Sequence, residues 1–345
     1  MFLDSSDAHS DMEKVRIGIV GLGWVAQVVH LPILTKLSEA QVVAICDRDK
    51  SRGRLVAEKF GINSLYTDVT QMLASEKLDA VIVATSTDSH KEVTIEALNA
   101  GMDVLVEKPI ARKYDEALAI AEAVKVNKRK LMVGMNHRFR PDTMILKSFL
   151  EGKELGKVFY TKAGWLRKKN NDSAWLTQKE KSGGGVFIDL GIVMLDMAFW
   201  MMGYPDVKRV SATNFHHTTK QVEDTSCVNI TMKNGSLINI EVSWSMHVED
   251  DQYYCHVFGT DGTASLNPLR INKELHGNVV NLAPAKIDPP QHLFKRSYEN
   301  ELKHFLGAVR DIHPVISTAD EAVQRMRIVE AVYKSVRTGK EVPIS

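Results

Sequence analysis

An α/β fold in two parts is predicted by three features of the 345-residue sequence. From residue 15 to about residue 134, short apolar runs alternate with amphipathic stretches, the pattern of βαβ units around a parallel sheet. A glycine turn, Gly21-Leu22-Gly23-Trp24-Val25-Ala26, follows the first apolar run directly. After Arg140-Pro141 the pattern changes to strand-like runs separated by turns, which predicts a second part on a mostly antiparallel sheet. Length agrees, suggesting about two domains: 14–138 and 139–345, behind a leader 1–13.

The leader is expected to be disordered. Residues 1–11 are polar and acidic, without the basic start and apolar stretch of a signal peptide, and Met12 is a possible alternative start. The first strand follows: Val15, Ile17, Ile19 and Val20 are β-branched, as a strand covered on both faces requires. Gly21 permits a tight turn, and Gly23 lets backbone N–H groups of the turn, with Trp24 and Val25, approach a pyrophosphate. Ala26 is small enough for the next helix, 25–37, to pack closely on the strand, its N-terminus aimed at the phosphates. A second strand, 41–46, ends at Asp47, 21 residues after Ala26, where a carboxylate meets ribose hydroxyls. Asp47 would repel a 2′-phosphate and so favours NAD, whereas Arg48 beside it leaves NADP possible.

Further strands are expected at 80–84, 103–106 and 130–134, and helices at 90–100 and 113–127. Ligands of such sheets lie outside the carboxyl ends of the strands. Thr85, Ser86 and Thr87 stand there and suit a nicotinamide ribose, or else form an ordinary polar turn capped by Asp88 or Ser89; His90 lines the cofactor or simply starts its helix. In the second part a helix is expected at 142–151 and strands at 158–164, 207–214, 226–232, 236–244, 252–258 and 263–267. Lys233-Asn234-Gly235 reads as a hairpin turn. Residues 269–295, with prolines at 284, 289 and 290, read as loop-rich, and 298–338 as a closing helical region.

Composition excludes several classes. Forty-four basic against 43 acidic side chains point to neither nucleic acid nor an acidic membrane surface as partner. The basic clusters at 125–130 and 167–169 read as solvated faces. No apolar run reaches membrane-spanning length, the longest, 186–202, being broken by Asp189 and Asp196. Cys46, Cys227 and Cys255 are scattered and read as reduced thiols of a cytoplasmic protein. No His, Cys or Asp spacing suits a metal, and no G-x-S-x-G elbow suits a hydrolase.

Two stretches could carry chemistry. Glu107-Lys108-Pro109 follows a strand directly, and a lysine there can polarise a substrate oxygen and move a proton while hydride moves at carbon. Pro109 restricts Lys108 to extended geometry and can itself take a cis bond. Gly183-Gly184-Gly185 opens a helix, 186–202, in which Asp189, Val193, Asp196 and Trp200 share one stripe. Two acids on an apolar helix need partners; the active site is expected for Asp189 and a structural hydrogen bond for Asp196. Trp165, Arg167, Trp175 and Lys181 could roof a sugar pocket, with core packing the alternative for Trp165. Trp244, His256 and the methionines 194, 197, 201 and 202 read as packing.

The chain resembles the Gfo/Idh/MocA family of oxidoreductases in the glycine turn, in A-T-S-T-D-S-H at 84–90, E-K-P at 107–109, G-M-N-H-R-F-R-P at 134–141 and G-G-G-V-F-I-D-L-G at 183–191. That resemblance implies an N-terminal Rossmann domain and a C-terminal α+β domain whose large open sheet forms a homodimer or homotetramer. It also implies NAD(P)-dependent hydride transfer on a sugar-like or cyclitol-like alcohol or ketone. By the same resemblance Lys108 is the catalytic lysine, and Glu107, Asn136 and Arg138 line the cofactor or substrate pocket. One departure stands out. Relatives with the usual apparatus carry Asp-x-Gly-x-His in the helix, and the histidine position here is Val193, facing the substrate without a proton to exchange. Either Lys108 acts as acid and base, helped by Asp189 or by Tyr160, residues 167–169, His216 or His217; or the ligand needs no such base; or the chain is a non-catalytic NAD(P)-binding sensor.

Overall fold

The computed structural model describes residues 13–169 and 177–344. Nearly all of the expected leader, with Met12, and Trp175 lie outside the described residues. Six parallel strands form the first sheet: β1 (Val15–Val20), β2 (Ala40–Cys46), β3 (Ser64–Tyr66), β4 (Ala80–Val83), β5 (Asp103–Glu107) and β6 (Leu131–Gly134). Their order, β3-β2-β1-β4-β5-β6, reverses between β1 and β4 and opens a crevice at the carboxyl edge there.

Helices α1 (Leu31–Leu34), α2 (Lys50–Phe60), α3 (Val69–Ser75), α4 (His90–Asn99) and α5 (Tyr114–Asn127) alternate with the strands. A π-helical turn, Ala26–His30, leads into α1. The sequence expectation passed over α2, β3 and α3. The signals are local ones: the Asp49 carboxylate caps α2 by accepting from the Ser51 and Arg52 N–H groups, and Gly61 ends the helix in left-handed geometry.

The second sheet has nine strands: β7 (Val158–Lys168), β8 (Val207–Phe215), β9 (Thr225–Met232), β10 (Leu237–Met246), β11 (Gln252–Gly259), β12 (Gly262–Leu266), β13 (Arg270–Leu275), β14 (Asn278–Asn281) and β15 (Val342–Pro343). Only the β7–β10 pair is parallel; the remaining pairs are antiparallel. The helices of this half are α6 (Pro141–Glu151), α7 (Lys179–Ser182), α8 (Ile192–Met202), α9 (Pro290–Val309) and α10 (Ala319–Thr338). One sheet face packs on α8 and α10, and Ile238, Ile240, Val242, Tyr253, Cys255 and Val257 alternate into that core. On the other face Tyr160 stacks on Phe258 and Lys162 pairs with Glu241.

The loop expected over 269–295 is corrected. It holds the β13–β14 hairpin, turned by His276 and Gly277 at φ 53° and 77°, and the start of α9. Proline does not bar a helix there: Pro290 occupies the first turn of α9, where no N–H is needed. Helix α9 buries Leu302, Phe305 and Leu306 in the same core as Ile17, Ile19 and Leu105, so the last part of the chain packs on the first sheet. Residues 179–202 are long and apolar enough to cross a membrane by composition, but this helix is a core element, 83% buried over its most apolar window.

Candidate active site

The crevice begins at the glycine turn. Gly21 has φ +90°, and a β-carbon on it would lie 2.6 Å from the Ala84 carbonyl and the Thr85 nitrogen. Only glycine fits where the β1 turn passes so close to the end of β4. A β-carbon on Gly23 would meet no atom within 4 Å, so its backbone faces open space that suits a pyrophosphate. Ala26 is fully buried against the sheet, Val25 is half-buried, and Trp24 stands 63% exposed beside the turn. The Leu22 N–H donates to Asp47 Oδ2 (2.8 Å) and the Asp49 N–H to Asp47 Oδ1 (2.8 Å), which sets the carboxylate at the end of β2. The guanidinium beside Asp47 belongs to Arg52 (3.3 Å), while Arg48 is exposed. Thr85 is half-buried, Ser86 exposed and Thr87 buried.

Lys108 extends from the end of β5 across to the second half of the chain, and its bond to Pro109 is cis. Its Nζ donates to Asp189 Oδ1 (2.6 Å) and to the Asp189 carbonyl (3.0 Å). Asp189 lies on a second π-helical turn, Phe187–Gly191, leading into α8. This turn departs from the 3.6-residue period, so the shared stripe expected for Asp189 and Asp196 is corrected: the two acids serve different neighbourhoods. The other Asp189 oxygen accepts from the Trp244 indole N–H (3.1 Å), a contact unforeseen for a residue read as packing.

Asp196 is the buried structural acid expected. It binds Arg138 through two hydrogen bonds and Arg325 through a third (2.6 Å), and Glu321 and Tyr204 complete the cluster. Burial would raise its carboxyl, but the two guanidinium charges outweigh this and hold it below the usual range. The pocket-lining role expected for Arg138 is therefore corrected. Its side chain has no exposed surface, and its guanidinium is spent on Asp196, Glu321 and Tyr204.

His90 is also corrected from a cofactor contact to a brace. It is buried, with Nδ1 2.8 Å from the Pro109 carbonyl and Nε2 3.1 Å from the Thr85 carbonyl, and burial lowers its pKa. Glu107 accepts from His30 (2.8 Å). Burial pushes its carboxyl up, yet the hydrogen bond and charge of His30, with the charge of Lys108, leave it below the ordinary value. The Asn136 amide donates to Ser297 of α9 (2.9 Å). Glu301 is fully buried on the same helix, and burial, with Glu107 and Asp196 nearby, raises its carboxyl well above normal.

The proposed roof divides. Trp165 is half-buried, 5.1 Å from the His137 ring and edge-on to Tyr253. His137, which sequence reasoning singled out only within a motif, is pushed down to about 3 by burial, with Arg140 and Lys108 adding to the effect. Arg167 forms a half-exposed pair with Asp251, and Lys181 is exposed. Val193 is packed in the core, 5% exposed. Tyr160 lies on the opposite sheet face from Trp165 and is removed as a proton donor. His216 turns its ring to the Val222 carbonyl and His217 stacks on Phe215, both exposed. Among the described residues no His, Cys, Asp or Glu cluster could hold a metal ion.

Two family models match the chain. One describes an oxidoreductase family with an NAD-binding Rossmann fold, over residues 15–135; the other describes the C-terminal α/β domain of that family, over 147–344. The chain is 31% identical to the D-glucoside 3-dehydrogenase of Escherichia coli, over 96% of this chain and 97% of that one. It is 28% identical to the NAD-dependent scyllo-inositol 2-dehydrogenase of Bacillus subtilis, over 96% of each. Among solved structures, GenD2 from gentamicin A biosynthesis, in complex with NAD, matches with a TM-score of 0.84 at 26% identity, covering 97% of both chains.

Proposed function

The chain belongs to the Gfo/Idh/MocA family of oxidoreductases, and on that premise we propose that Lys108 is the acid and base of an NAD-dependent dehydrogenase acting on a ring hydroxyl of a hexopyranoside. The two relatives matched over 96% of this chain are named for dehydrogenating a D-glucoside and, with NAD, scyllo-inositol. The single observation behind the catalytic assignment is the 2.6 Å contact between Lys108 Nζ and Asp189 Oδ1 at the carboxyl edge of the parallel sheet.

The residues present suit the cofactor: the open face of Gly23 would receive the pyrophosphate and Asp47 the adenosine ribose hydroxyls, with Thr85 and Ser86 nearer the nicotinamide side. Bound NAD supplies the hydride acceptor at the substrate carbon. Lys108 takes the hydroxyl proton at Nζ in oxidation and returns it to the carbonyl oxygen in reduction. Asp189 neutralises the ammonium so formed and aims it. Val193 exchanges no proton, which leaves this work to Lys108. Preservation of the Lys108–Asp189 pair favours an enzyme over a sensor, as do relatives named as dehydrogenases.

Two further readings belong to the same proposal. The outer sheet face, with Tyr160 stacked on Phe258 and Lys162 paired with Glu241, is the surface through which a homodimer or homotetramer would form; light scattering of the purified protein tests it. Three free cysteines suit a reducing, cytoplasmic compartment. The catalytic test is NADH formation with methyl glucosides, inositols and free hexoses as substrates. Wild-type enzyme should turn over a glucoside, and Lys108→Ala should lose at least ~10³-fold in kcat while NAD binding stays within about twofold. Turnover by Lys108→Ala near the wild-type rate would remove the lysine from the mechanism, and cyclitol oxidation alone would move the substrate class.

A further inference from the structure

The geometry points to Trp244 as a positioning residue for hydride transfer: its indole N–H holds Asp189 in the orientation that presents the other carboxylate oxygen to Lys108. The inference rests on the reading of Lys108 as acid and base.

Asp189 is gripped from both sides. Lys108 Nζ approaches Oδ1 at 2.6 Å and Trp244 Nε1 approaches Oδ2 at 3.1 Å, so each oxygen has a separate donor. A carboxylate with one donor can rotate about its Cβ–Cγ bond; one held at both oxygens cannot do so without breaking a charge-assisted hydrogen bond. Strand β10 explains how the indole arrives there. Ile238, Ile240 and Val242 alternate into the core under α8, and Trp244 continues the same alternation, half-buried at the edge of that core, with its indole reaching Asp189.

Both ends of the contact are referenced to one dipeptide. Glu223 Oε1 accepts from the Gly185 and Phe187 N–H groups, which anchors the start of the helix that carries Asp189. The Tyr333 hydroxyl also donates to Glu223. The neighbouring Asp224 carbonyl accepts from the Trp244 N–H at 2.9 Å, anchoring the indole's own backbone. Glu223-Asp224 thus sets the distance between donor and acceptor. The glycine run is shaped to allow it: a β-carbon on Gly185 would sit 2.1 Å from the Glu223 carbonyl oxygen.

The N–H bond also tunes the pair. An indole dipole directed at Oδ2 draws charge away from the oxygen facing Lys108, so removing the tryptophan strengthens the hold of Asp189 on the lysine's ammonium. Trp244→Phe keeps an aromatic ring and removes the donor, while Trp244→Gln restores a donor without the ring. The experiment measures kcat, KM, the pH profile of sugar oxidation and NADH affinity by fluorescence for both variants, with Lys108→Ala alongside. We expect Trp244→Phe to lower kcat about tenfold with KM changed less than about threefold. The acid limb of its profile should move about half a unit or more to higher pH, with NADH affinity and Tm nearly unchanged. Trp244→Gln should recover part of the kcat and part of the shift. An unshifted profile in Trp244→Phe, or no recovery in Trp244→Gln, would overturn the positioning role. An active Lys108→Ala would instead show that the underlying reading of the lysine has failed.

Discussion

At the scale of single residues, the proposed preference for NAD rests on the carboxylate of Asp47. It accepts from two backbone N–H groups, one in the glycine turn and one at the start of the following helix, so it is held fixed at the point where an adenosine ribose would lie. A 2′-phosphate there would face the carboxylate, and the Arg52 guanidinium that could answer it is already drawn to Asp47 and Asp49. Asp47→Ala removes the repulsion and releases Arg52, with exposed Arg48 adjacent. The ratio of kcat/KM for NAD to that for NADP should fall at least about tenfold, or ~1.4 kcal/mol. Measuring both cofactors on the same preparation checks this, and an unchanged ratio would place the discrimination elsewhere. This acid was legible in the sequence because its chemistry follows from one strand end and one spacing. Trp244 was not: nothing local distinguishes an indole that packs from one that reaches across to Asp189. The strand parity after Val242 was the available signal.

Elements carry the next level, and here the buried cluster around Asp196 is the clearest case. Arg138 comes from the segment after β6, Asp196 from α8, and Arg325 and Glu321 from α10, so one ionic knot joins three separate stretches of chain. Two guanidinium groups without accessible surface have no alternative partner in water. Asp196→Ala leaves both without their shared carboxylate and should cost about 3–5 kcal/mol of unfolding free energy in urea titration. A loss below about 1 kcal/mol would mean that Glu321 and Tyr204 suffice. The sequence foretold a partnered acid at 196 because charge on an apolar helix demands one, but it misplaced Arg138 in the pocket. Motif position says where a residue begins; the direction of its side chain depends on what packs opposite. The π-helical turn Phe187–Gly191 is a similar limit, since a 3.6-residue stripe drawn through Asp189 and Asp196 assumes a regular helix that the chain does not keep. Strand alternation survived better, because period 2 is enforced by burial on one face of a sheet.

For the whole molecule, the consequential fact is that the last helices return to the first sheet. Leu302, Phe305 and Leu306 of α9 are buried against Ile17, Ile19 and Leu105, α10 packs along α5, and the Val133 N–H donates to the Ser317 carbonyl at 2.9 Å. The cofactor crevice is thus supported from beneath by residues nearly 300 positions downstream of the strand they cover. The same return brings Ser297 to Asn136 and Glu301 near Glu107, so the ground below Lys108 is assembled from both ends of the chain. Full burial of three large apolar side chains contributes several kcal/mol, roughly 1.5–3 each. A fragment ending at residue 138 keeps every strand of the parallel sheet but exposes the face that α9 covers. Such a fragment should bind a hydrophobic dye, unfold in urea without a sharp transition, and bind NAD at least about tenfold more weakly than the full chain. Cooperative unfolding of the fragment with full-chain NAD affinity would mean that the sheet is sufficient alone and that α9 only decorates it. The packing argues otherwise, because Leu302, Phe305 and Leu306 of α9 are fully buried in the same cluster as Ile17, Ile19 and Leu105.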